Sequence, residues 1–285
     1  MKDALLVKPA VWQRARHRAV LEQLSDSGAV VLRGGDAAVL RREITDLEVT
    51  RIIACGGDGT VHLAVNAIQG TGVSLAVVPM GTGNDFARHL GVRTPAAGLA
   101  ALQHGAASAI DVGVIQCADQ PERFFVGIAS CGFDAQVNER ANGYPGPPGT
   151  AKYLAAVLGE LRHLTALPLE VSLDQVRHDG CYTLIAVGNT SSYGGGMRMC
   201  PTAQFDDGKL DITTVAQVRR RTLLRVLPRV FRGSHVRHPA VTQHQAEHVL
   251  VSGATFPVYA DGERVGSGPV QISVLRAGLM VQRAT

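Results

Sequence analysis

The 285-residue chain is short of aromatic residues (5%), holds one tryptophan and five dispersed cysteines, and has no long apolar run. Each shortage excludes something. No stretch approaches the roughly 20 apolar residues that a membrane-spanning helix needs. Cys55, Cys117, Cys131, Cys181 and Cys200 are odd in number and lack any C-x-x-C pair, which argues against a disulfide framework or zinc site and for reduced thiols in a cytosol. The amino terminus turns polar after Val7, unlike a signal peptide. A net charge of +4 is too small an excess to imply nucleic acid, and anionic lipid or phosphate compounds fit it equally well. Any action on a lipid is therefore expected from the membrane surface.

What is present is glycine, alanine and valine, arranged in two different patterns. Over the first 110 residues, strand-like runs at Ala4–Val7, Val30–Leu32, Arg51–Cys55 and Leu75–Val78 alternate with helical spacing at Val11–Leu24, Asp36–Leu47 and Thr94–His104. That alternation predicts a doubly wound, mostly parallel sheet covered on both faces. Ligands of such sheets collect at the carboxyl ends of the strands. From about Ile110 short strand-like runs dominate: Val112–Cys117, Phe124–Ala129, Leu169–Leu173, Leu184–Val187, Leu210–Val215, Val249–Val251, Phe256–Ala260 and Val270–Leu275. Their Gly, Asp and Pro boundaries predict antiparallel sheets, interrupted by two helices at Ala151–Leu164 and Arg219–Arg232. The boundary is placed near residue 115, giving an α/β domain over 1–115 and a β-rich domain over 116–275. The segment 142–149, NGYPGPPG, reads as a surface loop.

Two glycine turns carry the chemistry. The first, Gly56-Gly57-Asp58-Gly59-Thr60, follows a buried strand and precedes a helix. Its glycines let backbone N–H groups approach an anion, and the helix directs its positive end to the same place. It is neither a Walker A loop nor a G-x-G-x-x-G fingerprint. Asp58 beside a phosphate would be repelled unless a divalent cation lay between them, so it implies Mg²⁺, bound directly or through water. The second turn is Gly81-Thr82-Gly83-Asn84-Asp85, running into a helix at Phe86. Asn84 or Asp85 could equally cap that helix. Farther on, Asp261-Gly262-Glu263 sets two acids at the tip of a tight turn, and Asp206-Asp207-Gly208 has the composition of a solvated acidic hairpin.

These motifs, with Pro79 and Phe86-Ala87-Arg88 framing the second turn, resemble the diacylglycerol kinase catalytic domain family. That family includes soluble bacterial lipid kinases, sphingosine kinases and ceramide kinases. The resemblance continues through Gly132-Phe133-Asp134, Gly188-Asn189, Gly194-Gly195-Gly196, Asp206-Asp207-Gly208 and Asp261-Gly262-Glu263. It implies a fold like NAD kinase and phosphofructokinase in the first domain, a β-sandwich in the second, and an active site in the cleft between them. A strand at Gly278–Gln282 would return to the first domain.

The implied activity is an ATP-dependent lipid kinase of phospholipid biosynthesis, transferring the γ-phosphate to a hydroxyl of diacylglycerol or a related lipid. ATP would be held by Gly56, Gly57, Asp58, Gly59, Thr60, Gly81, Thr82 and Asn84. Glu263 or Asp261 would be the general base. Mg²⁺ would sit on the Asp207 side chain and the carbonyls of Gln204 and Lys209, linked by water to Asp58 and Asp85. The rivals are an NAD kinase-like small-molecule kinase, which shares GGDGT, and a non-catalytic nucleotide or lipid sensor.

Two departures from the family's pattern stand out: Lys8-Pro9-Ala10 in place of Asn-Pro and a small-residue turn, and His62-Leu63 in place of Asn-Glu. The expected partner is a lipid at the membrane surface, without nucleic acid, in a cytoplasmic protein touching the inner face of the membrane. In Arg219–Arg232, leucines, valine and phenylalanine share one helical face while arginines line another. Such a helix suits either an anionic phospholipid surface or a core contact with a solvated basic side.

Overall fold

The computed structural model describes residues 2–33, 35–118, 120–143 and 150–284. Contacts divide the chain into two units, residues 1–111 with 277–285, and residues 112–276. The chain leaves the first unit and re-enters it in mid-strand.

The first unit contains β1 (Asp3–Val7), α1 (Pro9–Trp12), α2 (Arg18–Asp26), β2 (Val30–Leu32), α3 (Ala37–Asp46), β3 (Arg51–Gly56), α4 (Asp58–Ile68), β4 (Ser74–Pro79), α5 (Asp85–His89), α6 (Pro95–His104) and the start of β5 (Ala106–Cys117). Strands β2, β1, β3 and β4 pair in that order and all parallel. Leu5, Ile53, Ala76 and Val78 pack with Leu21 and Leu24 of α2. Their sequence neighbours Leu6, Ile52, Leu75 and Val77 are buried as well, so both sheet faces are covered. This explains the unbroken apolar runs of these strands.

Helix starts follow from local chemistry. Asp36 accepts N–H bonds from Ala38 and Val39 at 2.9 Å, and Thr94 accepts one from Ala97 at 3.1 Å ahead of Pro95. The helix expected over Val11–Leu24 is broken. Arg14 is extended, and a short 3₁₀ turn at Ala15–His17 inserts a buried His17 among Arg14, Arg16 and Arg18. Burial and the adjacent Arg16 and Arg14 charges push the His17 pKa below its ordinary value.

The second unit continues β5 and adds β6 (Arg123–Phe125), β7 (Ile128–Gly132), α7 (Phe133–Gly143), α8 (Thr150–Glu160), β8 (Leu167–Leu173), β9 (Val176–Gly188), β10 (Leu210–Ala216), α9 (Arg220–Val230), β11 (Val241–Ala246), β12 (His248–Gly253), β13 (Pro257–Ala260), β14 (Glu263–Ser267) and the first part of β15 (Val270–Arg283). Its strand order is β14-β13-β7-β9-β8-β12-β15, with β10 and β11 branching from β9. The pairings inside this unit are antiparallel. Its main core gathers Phe125, Val171, Ile185, Ile212, Val251, Phe256 and Val258.

The end of β15 returns to the first unit, where Val281 pairs in parallel with Leu75 of β4. There the Ala277 N–H donates to buried Asp111 at 2.8 Å. The strand expected at Gly278–Gln282 is this segment.

Three expectations for the second unit need correction. The run Phe124–Ala129 is two strands, because the Val126 and Gly127 N–H groups leave the ladder for a carboxylate. The loop expected over 142–149 starts inside a third helix, α7, which covers Asn142 and Gly143; positions 144–149 lie outside the described residues. The strands β11 and β14 were not anticipated. Each pairs with a single neighbour and has the polar composition of an edge strand.

Candidate active site

The first glycine turn is shorter than its sequence motif. Gly56 ends β3, Gly57 caps α4, and Asp58, Gly59 and Thr60 already form the first helical turn. The Gly56 carbonyl accepts N–H bonds from Met80 at 2.8 Å and Gly81 at 3.2 Å, which brings the two turns together at the carboxyl ends of adjacent parallel strands. Gly57 and Gly81 touch through their backbones. A Cβ added at Gly81 would lie 2.4 Å from the Gly57 Cα, and one at Gly56 would lie 2.2 Å from the Thr60 hydroxyl. Gly57 and Gly81 are therefore required first by the contact between the turns, and Gly56 by the Thr60 side chain of its own turn. Thr60, placed by sequence with the nucleotide contacts, is buried with its hydroxyl against Gly56. Thr82 is exposed at the crest of the second turn.

Asn84 is left-handed (φ 51°) and makes no side-chain cap. Its amide instead closes the turn on Gly81, accepting the Gly81 N–H and donating to the Gly81 carbonyl, both at 3.0 Å. Asp58 reaches from α4 to accept the Phe86 N–H at 3.1 Å, so the acid of the first turn holds the helix that follows the second. Buried Asp85 pairs with Arg88, which also donates to the Gly83 carbonyl. The carboxylates of Asp58 and Asp85 both face Gly83, whose added Cβ would sit 2.7 and 3.4 Å from them. Of the two departures from the family pattern, Lys8 is exposed ahead of α1, and His62 lies half-buried on α4 with its carbonyl accepting from Asn66.

In the second unit, Asp261 and Gly262 are both left-handed (φ 53° and 82°) at the tip of the β13–β14 hairpin. The Asp261 carboxylate turns inward. Its oxygens accept the Gly127 N–H at 2.8 Å and the Val126 N–H at 3.2 Å. Asn189 and Thr190 take the carbonyls of the same two residues: the Asn189 side chain donates to Val126, and both main-chain N–H groups donate to Gly127. The peptide between β6 and β7 is thus gripped from both sides. Glu263, two residues beyond Asp261, is exposed. Sequence had offered Asp261 and Glu263 as equal candidates for the base. The structure separates them, because one carboxylate is engaged by the main chain and the other faces solvent. Tyr259 beside them is buried, and desolvation with the Glu139 charge raises its pKa.

The residues assigned to Mg²⁺ form one exposed turn, in which the Lys209 N–H donates to Asp207 at 3.0 Å. Asp207 and the main-chain carbonyls of Gln204 and Lys209 are hard oxygen donors. An exposed position suits a Mg²⁺ ion that keeps most of its waters, so the donor set fits the ion. Among the described residues no group of three or more His, Cys, Asp or Glu side chains could hold a metal.

Sequence reading did not single out the pair Asp134 and Tyr193 as site residues. Asp134, 2% exposed, accepts a 2.5 Å bond from the Tyr193 hydroxyl and a longer one from Asn138. The signal was there in Gly194, Gly195 and Gly196, all with positive φ, which fold the chain sharply enough to bridge Tyr193 to Met197. Asp134 and Tyr193 edge an apolar cavity of about 60 Å³, lined mainly by Leu184, Met197, Met199, Leu223, Leu227 and Val230. His235 also borders it, buried, with its pKa lowered by desolvation.

Comparison with known proteins bears on the family and the fold. The diacylglycerol kinase catalytic domain model matches residues 11–115, and that of the YegS C-terminal NAD kinase beta sandwich-like domain matches residues 127–283. A diacylglycerol kinase of Mycobacterium tuberculosis is 38% identical over 276 residues, 95% of this chain and 87% of that protein. One from Staphylococcus haemolyticus is 28% identical over 254 residues, 87% of this chain and 76% of that protein. A crystal structure of a diacylglycerol kinase from Bacillus anthracis superposes with a TM-score of 0.73 at 21% identity, over 99% of this chain and 96% of that one. An NAD kinase from Archaeoglobus fulgidus, solved in complex with ATP, gives a TM-score of 0.57 at 13% identity, over 100% and 94% of the two chains. The last two likenesses concern the fold alone. With a relative 38% identical across nearly its whole length, and with both halves matched, the chain belongs to the diacylglycerol kinase family of lipid kinases.

Proposed function

We propose that the protein transfers the γ-phosphate of ATP to a hydroxyl of diacylglycerol or a closely related lipid. The observation that carries the nucleotide half is the contact of Gly57 with Gly81 at the carboxyl ends of β3 and β4, beside the amino terminus of α4. Main-chain N–H groups and a helix end converge there with little side-chain bulk, as phosphate binding requires. The acceptor half is supported by the apolar walls around Asp134 and Tyr193. At about 60 Å³ the cavity has room for about two waters. An acyl chain would enter only as α9 moves outward.

In this reading Glu263 takes the proton of the lipid hydroxyl as it attacks, and Asp261 positions Glu263 by clamping the hairpin to Val126 and Gly127. The phosphates lie on the main chain of the glycine turns. Mg²⁺, held at Asp207, Gln204 and Lys209, would supply charge neutralisation for the transferred phosphoryl group. Catalysis is then positioning and electrostatics, with no covalent nucleophile needed. The test is a radiolabelled-ATP assay offering diacylglycerol, a panel of other hydroxylated lipids, and NAD side by side. Label in a lipid supports the reading. Label in NAD alone favours the small-molecule kinase, and no transfer with retained ATP binding favours a sensor.

A further inference from the structure

We infer that α9 is a membrane-docking element that binds the surface of a bilayer rich in anionic phospholipid. Between Asp211 and Glu247 the chain contains no acid and seven arginines, Arg219, Arg220, Arg221, Arg225, Arg229, Arg232 and Arg237. The whole chain has a net charge of only +4, so everything outside this stretch is net negative by three. Within the stretch, Arg219, Arg220, Arg221, Arg225, Arg229 and Arg232 are all exposed, and none has a carboxylate partner among the described residues. A solvated surface helix ordinarily intersperses both signs at i,i+4 spacing, because like charges there repel. Four arginines on one helix and two flanking it, none paired with a carboxylate among the described residues, call for an anionic counterpart.

The rest of the helix surface says which anion. Leu224 (44% exposed) and Phe231 (36%) lie among the arginines, and Leu158 of α8 is 61% exposed. Helix α8 is the neighbour of α9, since Leu223 and Leu227 pack on the cluster containing Val157 and Leu161. Arg220 ties the two segments further by donating to the Arg162 carbonyl at 2.6 Å. Exposed leucine and phenylalanine gain nothing from a phosphodiester backbone, but enter the interfacial region of a bilayer while the arginines bind its headgroups. The opposite face of α9 roofs the apolar cavity with Leu223, Val226, Leu227 and Val230. One short helix therefore carries a bilayer-facing side and a cavity-facing side. That α9 also delivers lipid to the cavity rests on the proposed lipid-kinase function; the docking does not.

The experiment is sedimentation of the full chain with vesicles of phosphatidylcholine alone and of phosphatidylcholine with phosphatidylglycerol. Each arginine near an anionic surface contributes about fivefold in affinity, so R221Q/R225Q/R229Q should weaken binding to the anionic vesicles about 100-fold. Replacing the exposed Arg18, Arg33 and Arg93 of the first unit by glutamine should change it only a few-fold. Phe231→Ser should lower the part of the binding that survives 0.5 M salt, where surface charge is screened. Equal sedimentation of the α9 triple variant and the parent protein, or no preference of the parent for anionic vesicles, overturns the inference. So does α9-dependent binding to RNA with no binding to vesicles. Transfer of label to a short-chain diacylglycerol in detergent micelles is read in parallel: a parent that docks but phosphorylates nothing sinks the kinase reading and leaves docking standing.

Discussion

Asp58 in the first unit and Asp261 in the second do similar mechanical work in different settings. Each is an acid of a glycine-containing motif whose carboxylate accepts main-chain N–H bonds from a distant segment. Asp58 accepts the Phe86 N–H, 28 residues away, and joins two turns whose glycine backbones already touch. Asp261 accepts the Gly127 and Val126 N–H groups, 134 and 135 residues away, and the gripped peptide has no ladder to fall back on. The contrast teaches that an acid in a motif is not thereby a catalyst. Under the proposed function, the ligand-facing groups of the first unit are main-chain N–H groups, and the side chains hold them in place. In the second unit, under the same reading, clamping Asp261 leaves its exposed neighbour Glu263 to act by side-chain chemistry.

That contrast can be broken most directly at Glu263. Under the proposed function, Glu263→Gln should cut phosphoryl transfer by about 10²–10⁴-fold, with the melting temperature nearly unchanged because the side chain is exposed. Near-parental rates in a steady-state assay would remove Glu263 from the chemistry. Next in size is Gly81→Ala, whose methyl would sit 2.4 Å from the Gly57 Cα. Separating the turns should cost about 3 kcal/mol, visible as a fall in thermal midpoint, and under the proposed function should abolish any stabilisation by added ATP.

Asp261→Asn keeps the shape but replaces one acceptor oxygen with a donor, leaving the Val126 or Gly127 N–H unpaired. Denaturant titration should show a loss of about 1–3 kcal/mol. Asp58→Asn can still accept the Phe86 N–H, so its cost should stay under about 1 kcal/mol. Equal costs at the two positions would erase the distinction between them.

The smallest effect is pH dependence. Burial lowers the pKa of His235 in the native state, so the unfolded chain binds its proton more readily. Above the unfolded value of about 6.5 both states are neutral and the site is indifferent to pH. As pH falls through that value towards the lower native one, stability is lost. Melting curves of the parent protein and of His235→Gln should converge in slope between pH 7 and 8, and diverge between pH 6.5 and 5 with the parent falling faster.

Much of this was legible in the residues. The parallel strands at Asp3–Val7, Arg51–Gly56 and Ser74–Pro79 are buried on both faces, so each reads as an apolar run with a glycine or proline stop. The caps at Asp36 and Thr94 are local, within three residues of their partners. The first half of β9, VRHDGCY, could not be read in this way, because its own residues are mostly exposed and polar and only the ladder to β8 makes it a strand. Helix α7 was masked by its own motif, Gly132-Phe133-Asp134, although Phe133 and Val137 stand four apart.

By itself the sequence determined the α/β-then-β order of the chain, the two glycine turns at strand ends and the family to which they point. These follow from spacing a few residues long, where hydrophobic period and backbone freedom act directly. Only the tertiary structure decided that Gly57 must meet Gly81, that Asp58 and Asp261 are clamps, that Thr60 is buried, and that Asp134 meets Tyr193. Each of these depends on a partner at least 24 residues away, or on which side of a turn faces inward. An aspartate looks alike in the sequence whether its oxygens face solvent or a distant pair of N–H groups, and it is packing that chooses between them.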